Sequence, residues 1–242
     1  MAEIRDVTVL PDAAALAAAC ADRIVEIVGH AISERGVAHL ALAGGSTPRA
    51  VNALLASDPL RGALDWSRVV FWFGDERCVP PTDAQSNYRM NAETLLEPLK
   101  IAPQRVHRMR GEDDPPAAAA DYEAILVREL GELPRLDLVL LGMGPDGHTA
   151  SLFPGTINAI DKTKLCIAHY VPQLDRWRIS LTARTINAAR SVTITAGGAE
   201  KADALHAVLD GPRQPDVYPS QLVSPRDGDL CWLVDAAAAA KL

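Results

Sequence analysis

Residues 138–154 read LVLLGMGPDGHTASLFP, an apolar run that ends in glycines set around an acid and a histidine. Gly142, Gly144 and Gly147 spell G-x-G-x-x-G, by letter the fingerprint of a dinucleotide-binding loop. The context denies it. A working fingerprint opens a full helix on the sheet and meets an acid about 20 positions on, at the end of the next strand. Here HTASLF is stopped by Pro154-Gly155 after barely one turn, and Asp161 precedes the next strand candidate instead of ending it. What remains is a buried strand followed by a bent loop that carries Asp146 and His148.

The same strand-then-loop pattern recurs upstream. VAHLALA (37–43) runs into Gly44-Gly45-Ser46-Thr47-Pro48, and RVVFWF (68–73) into Gly74-Asp75-Glu76-Arg77. Helices are expected between the strands. One runs from a cap at Asp12 to Gly36, with Ile24, Ile27, Val28, Ala31 and Ile32 on one stripe. Others start at Pro48, at Ser86 or Asn87 before MNAETLLEPL, and after GEDDPP through DYEAILVREL. KLCIAHYV, RISLT, SVTITAG and CWLVD read as later strands, with a helix over about Ala199–Leu209 and another over the closing DAAAAAKL. Continuously apolar strands separated by helices imply an α/β fold with a mainly parallel sheet and helices on both faces. Ligands bind such sheets at the carboxyl ends of the strands, so the three loops converge on one edge. No repeat or long linker divides the chain, and a single α/β domain over 1–242 is expected.

Composition narrows the function. The 242 residues are 48% hydrophobic and 23% charged, with a net charge of −7. That balance suits a soluble protein and argues mildly against nonspecific binding to nucleic acid or anionic membranes. Cys20, Cys78, Cys166 and Cys231 lie far apart, as scattered thiols of a reducing compartment do. The N-terminus lacks a signal-like apolar core and no apolar run is long enough to span a bilayer, so a cytoplasmic location is expected. No obligate protein partner is indicated.

Three loops can carry chemistry. In GGSTP the glycines admit close approach, Ser46 or Thr47 can cap, and Pro48 suits a first helical position. Such a turn is a plausible phosphate cradle, although a merely capped helix is an equal reading; the lysine of a Walker loop is absent. Glu76 and its neighbours Asp75 and Arg77 end a strand anchored by Phe71, Trp72 and Phe73. A carboxylate and a guanidinium there can orient a proton carrier and stabilise an oxyanion, where three charges alone would more often be a solvated strand end. Of six histidines, only His148 stands in a glycine-rich loop beside an acid, and an imidazole can exchange a proton near neutral pH. No histidine pair has i, i+4 spacing for a metal, and no G-x-S-x-G elbow marks a serine hydrolase.

Taken together, LALAGGSTPRAV (40–51), WFGDERCVPPTDAQSNYRM (72–90), DLVLLGMGPDGHTASLFPGT (137–156), RISLTARTINAA (178–189) and AGGAEKADALHAVLDG (196–211) resemble the 6-phosphogluconolactonase family. That family lies within the group that includes glucosamine-6-phosphate isomerase/deaminase. The resemblance covers nearly the whole chain in order and is weakest over 157–177. It implies a modified Rossmann-like fold with no nucleotide or metal cofactor. It also implies hydrolysis of 6-phospho-D-glucono-1,5-lactone to 6-phosphogluconate, the second step of the oxidative pentose phosphate pathway. Carried over, Gly45, Ser46 and Thr47 hold the 6-phosphate, and Arg178 and Lys201 supply positive charge. His148 takes a proton from water, oriented by Asp146 or Asp75, while Arg77 and loop amides stabilise the oxyanion.

The nearest alternative is the amino-sugar-phosphate isomerase/deaminase. That subfamily resembles M-D-E-Y where Gly74-Asp75-Glu76-Arg77 stands, and carries a glutamate at the position of Phe153. Both departures favour the lactonase. A non-catalytic sugar-phosphate sensor would keep the phosphate loop without retaining His148, Asp75 and Arg77 together.

Overall fold

The computed structural model describes residues 6–157 and 160–242. Six parallel strands form the central sheet: β1 (Asp6–Leu10), β2 (Ala38–Leu42), β3 (Val69–Phe73), β5 (Leu138–Gly142), β8 (Ser191–Ala196) and β9 (Asp229–Asp235). Their order across the sheet is β1-β9-β8-β5-β2-β3. From β2 the chain crosses outward to β3; from β5 it crosses the other way, to β8 and β9. The crevice between the carboxyl ends of β2 and β5 is therefore the switch point at which α/β sheets receive ligands.

Helices separate these strands as expected. α1 (Ala13–Arg35) begins at Asp12, whose carboxylate accepts from the Ala15 amide at 2.8 Å, and ends at Gly36. It packs on β2, β8, β9 and α2 (Ser46–Leu55). α3 (Asn87–Asn91) is capped by Ser86 and continues as a π-helical turn over Ala92–Leu96. α4 (Pro115–Leu130) starts at Asp114, and two shorter helices, α5 (Ala183–Ile186) and α6 (Ala202–Leu209), precede and follow β8.

Three expectations need correction. KLCIAHYV and RISLT are strands, β6 (Cys166–Val171) and β7 (Arg176–Leu181), but they do not join the parallel sheet. They pair antiparallel with β4 (Asp75–Arg77) in the order β4-β7-β6, so the GDER stretch is itself a strand. The closing DAAAAAKL forms turns after Asp235, because a run this short does not recover the cost of nucleating a helix. α2 begins at Ser46, two residues before Pro48; Gly45 is its cap residue, and no side chain caps it.

The core centres on Trp72, Phe71, Phe73, Tyr122 and Trp232, all nearly or wholly buried. Tyr122, from α4, brings a hydroxyl to the end of β3, where it accepts from the Phe73 amide at 2.9 Å. Replacing Tyr122 with Phe strands that buried amide at the strand end. We expect Tyr122→Phe to lose about 1–3 kcal/mol, read as a lower urea midpoint at an unchanged m-value; an unchanged midpoint would refute the role given to this bond.

Candidate active site

Four loops leave adjacent strands at the carboxyl edge: Gly44–Pro48 after β2, Gly74 after β3, Met143–Phe153 after β5, and Gly197–Lys201 after β8. The loop after β5 holds the imidazole. His148 Nδ1 lies 2.5 Å from Asp146 Oδ1, and the His148 amide donates to the same oxygen at 3.1 Å. With Nδ1–H given to the carboxylate, Nε2 is left as the basic nitrogen. Burial works against the charged form of Asp146, but the His148 bonds and charge outweigh it and hold the carboxyl below its usual range. Phe153 stacks on the imidazole with ring centroids 4.2 Å apart.

Small residues make this geometry possible. A side chain at Gly144 would collide with the His148 ring and the Asp146 carboxylate. Ser220 donates from its amide and hydroxyl to the Gly147 carbonyl, at 2.9 and 2.8 Å, pinning the loop to the segment before β9. Further on, Ala150 takes a left-handed conformation (φ 48°), which costs an L-residue roughly 1–2 kcal/mol. Just after that turn, Ser151 Oγ donates to Asp75 Oδ2 at 2.6 Å.

Asp75 and Asp146 are placed differently. Asp75 makes no hydrogen bond to His148 among the described residues. Its second oxygen accepts from Asn87 Nδ2 at 3.1 Å, and the same amide donates to the Asp75 carbonyl at 3.0 Å. Asn87 also packs so closely on Gly44 that a Cβ there would strike it. It therefore ties the β2 loop to the β3 loop. In the sequence Asn87 carries only the signal of a helix start, because a lone Asn ahead of a helix has that local explanation.

Glu76 is buried at the start of α3. It accepts from the amides of Arg77, Asn87 and Tyr88 and from Ser86 Oγ, all at 2.7–3.0 Å. Burial pushes its carboxyl up even so. It anchors the start of α3, and so sets Asn87.

The cations lie along the same edge. Arg77 and Arg178 are direct partners across β4 and β7, and Arg77 Nη1 donates to the Gln85 carbonyl at 2.5 Å. Arg178 has no hydrogen bond or ion pair from its side chain among the described residues. Burial, and then the neighbouring Arg77 charge, lower its pKa. Lys201 is also lowered by burial and donates to the Met143 carbonyl at 2.5 Å. Two half-buried cations with no carboxylate in an ion pair among the described residues make an anion welcome here. Gly45 and Ser46 are exposed and Thr47 is half-buried, and the first amides of α2 meet no capping side chain.

His169, on β6, opposes Arg178. Its Nε2 lies 2.6 Å from the Ser151 carbonyl, and burial lowers its pKa. No group of three or more His, Cys, Asp or Glu side chains among the described residues is placed to hold a metal ion. Nor is any helix among them long and apolar enough to cross a membrane.

Known proteins share this architecture. The family model described as "Glucosamine-6-phosphate isomerases/6-phosphogluconolactonase" matches residues 11–232. A 6-phosphogluconolactonase of Treponema pallidum is 41% identical over 229 residues, covering 93% of this chain and 92% of that one. The crystal structure of a devB protein superposes with a TM-score of 0.90 at 34% identity, over 99% of this chain and 100% of its own. The 6-phosphogluconolactonase structure from Trypanosoma cruzi gives 0.87 at 30% identity, over 100% and 98%. This chain belongs to the glucosamine-6-phosphate isomerase/6-phosphogluconolactonase family.

Proposed function

We propose that the chain is a lactonase that hydrolyses 6-phospho-D-glucono-1,5-lactone to 6-phosphogluconate, acting as one domain over 1–242 in the cytoplasm. The observation that carries this reading is the His148–Asp146 pair, 2.5 Å apart, at the switch point of the sheet beside Arg178 and Lys201. A phosphorylated lactone needs an anion site and one base, and this reading assigns both to that edge.

The phosphate sits against the first amides of α2 at Gly45, Ser46 and Thr47, with Arg178 and Lys201 adding charge. His148 Nε2 takes a proton from water as the water oxygen bonds to the lactone carbonyl carbon. Asp146 orients the imidazole and stabilises its charged form. Arg77 and loop amides meet the oxyanion. When the tetrahedral centre collapses, the bond to the ring oxygen breaks, and His148 returns the proton to that oxygen. Asp75, fixed by Ser151 and Asn87, supports the electrostatics of Arg178 and does not touch the base. The deaminase alternative is disfavoured by Phe153, an apolar ring stacked on His148 at the position where that subfamily carries a glutamate.

These roles set measurable outcomes in a pH-stat assay on fresh lactone, corrected for spontaneous hydrolysis. His148→Ala should lower kcat by about 10²–10⁴-fold with the thermal midpoint retained; near-normal turnover would remove His148 as the base. Gly144→Ala should approach that loss by displacing the imidazole, and full activity would contradict the geometry. Arg178→Ala or Lys201→Ala should act mainly on KM, and an unchanged KM would exclude a phosphate role. Ammonia release from glucosamine 6-phosphate would overturn the choice of reaction.

A further inference from the structure

A cavity of about 670 Å³ lies apart from the crevice at the carboxyl ends of the strands. It opens at the other end of the sheet. Its walls come from residues just before β5 (Leu133, Arg135), between β7 and β8 (Thr182, Arg184, Asn187) and just before β9 (Arg226, Asp227), closed by the β5–β6 connection through Leu152 and Lys162. Parallel sheets bind substrates at carboxyl ends, so this amino-end cavity is separate from the proposed lactone site.

Its charge runs against that of the chain. Arg135, Lys162, Arg184, Arg213 and Arg226 line it against one carboxylate, Asp227, in a protein of net charge −7. Three of the five are steadied by backbone carbonyls: Arg135 by Asp227, Arg184 by Thr163 and Arg213 by Gln221. Lys162 and Arg226 have no side-chain hydrogen bond or ion pair among the described residues. Like charges gathered round a concavity repel one another and focus a positive field into it, a cost that a bound anion relieves. An apolar part of the wall carries Leu152, Ile160 and Leu222, beside the polar Thr163, Thr182 and Asn187. The volume falls within the roughly 300–1,000 Å³ of small-molecule sites, far beyond what an inorganic ion fills.

We propose that this cavity is a second ligand site, for an organic phosphate whose charged group meets the Lys162–Arg226 cluster and whose body lies on the Leu152 wall. Guanidinium forks suit phosphoryl oxygens, and the apolar wall asks for more than an inorganic ion. The site also borders the catalytic loop: Leu152 lines the cavity, while its neighbour Ser151 holds Asp75.

A nucleotide and a sugar phosphate share this chemistry, so both serve as probes. Isothermal titration of ADP, glucose 6-phosphate and inorganic pyrophosphate into Arg178→Ala protein reads binding with the catalytic edge weakened and without turnover. Its failure is thus separable from failure of the lactonase reading. At least one organic phosphate should bind with a Kd below about 1 mM, and Lys162→Glu/Arg226→Glu in the same background should weaken it at least tenfold. Among the described residues those two side chains make no hydrogen bond or ion pair, so the double substitution should keep the thermal midpoint and, in the otherwise native chain, lactone turnover. Three results would each overturn the proposal: no saturable binding of either organic phosphate, affinity unchanged in the double variant, or pyrophosphate binding as tightly as both.

Discussion

The reversal of crossover direction between β2 and β5 is the constraint from which the rest of the molecule follows. Neighbouring strands whose connections run the same way have their carboxyl ends roofed by the helices that follow. At a reversal the two connections part, and an uncovered crevice is left. The loops after β2 and β5 are the two walls of that crevice. The loops after β3 and β8, on the outer flanks of the same pair, reach its rims. In the proposed reading, a base from one wall and an anion cradle from the other face a single small substrate across that crevice.

An open crevice still needs its loops held, and buried polar groups do that work. Glu76 is the clearest case. Moving a carboxylate out of water costs several kcal/mol, and it is tolerated only when donors replace the lost hydration. Glu76 has four such donors, three of them backbone amides. The arrangement fixes the start of α3, hence Asn87, hence the spacing of Asp75 from Gly44. On the other side, the strained turn at Ala150 delivers Ser151 to the free oxygen of Asp75, and His169 braces the Ser151 carbonyl. A wall built this way moves as a unit, since removing one donor leaves a buried acceptor unsatisfied.

The parallel sheet was legible because strands buried on both faces are apolar throughout, as VVFWF and LVLLG are. The helix at Asp12 announced itself through its cap and stripe. What escaped is what depends on pairing rather than on pattern. β4 is three residues long and charged, β1 alternates with exposed positions, and nothing in RWRISL says it will meet DER antiparallel. The same division holds at the site. His148 and Asp146 stood out because glycines crowd them. Asn87 and Ser151 did not, since a polar residue at a helix start or in a Thr-Ala-Ser run already has a local explanation. Their partners lie 12 and 76 residues away.

Charge imposes the last condition. A chain of net charge −7 repels a phosphorylated substrate at long range, yet salt screens exposed charges beyond about 8–10 Å. Within that radius the local field decides, and at the carboxyl edge it is set by Arg77, Arg178 and Lys201. Burial makes Arg178 and Lys201 costly as cations; Asp75 and Glu200 offset part of that cost through space, but among the described residues no carboxylate forms an ion pair with either. Asp75 lies near enough to be felt by Arg178, but both its oxygens are committed to Ser151 and Asn87. The guanidinium is thus kept from collapsing onto its own protein. A positive group held half-dehydrated and unsatisfied is preorganised for an anion, because the desolvation it would otherwise undergo on binding has already been met by folding.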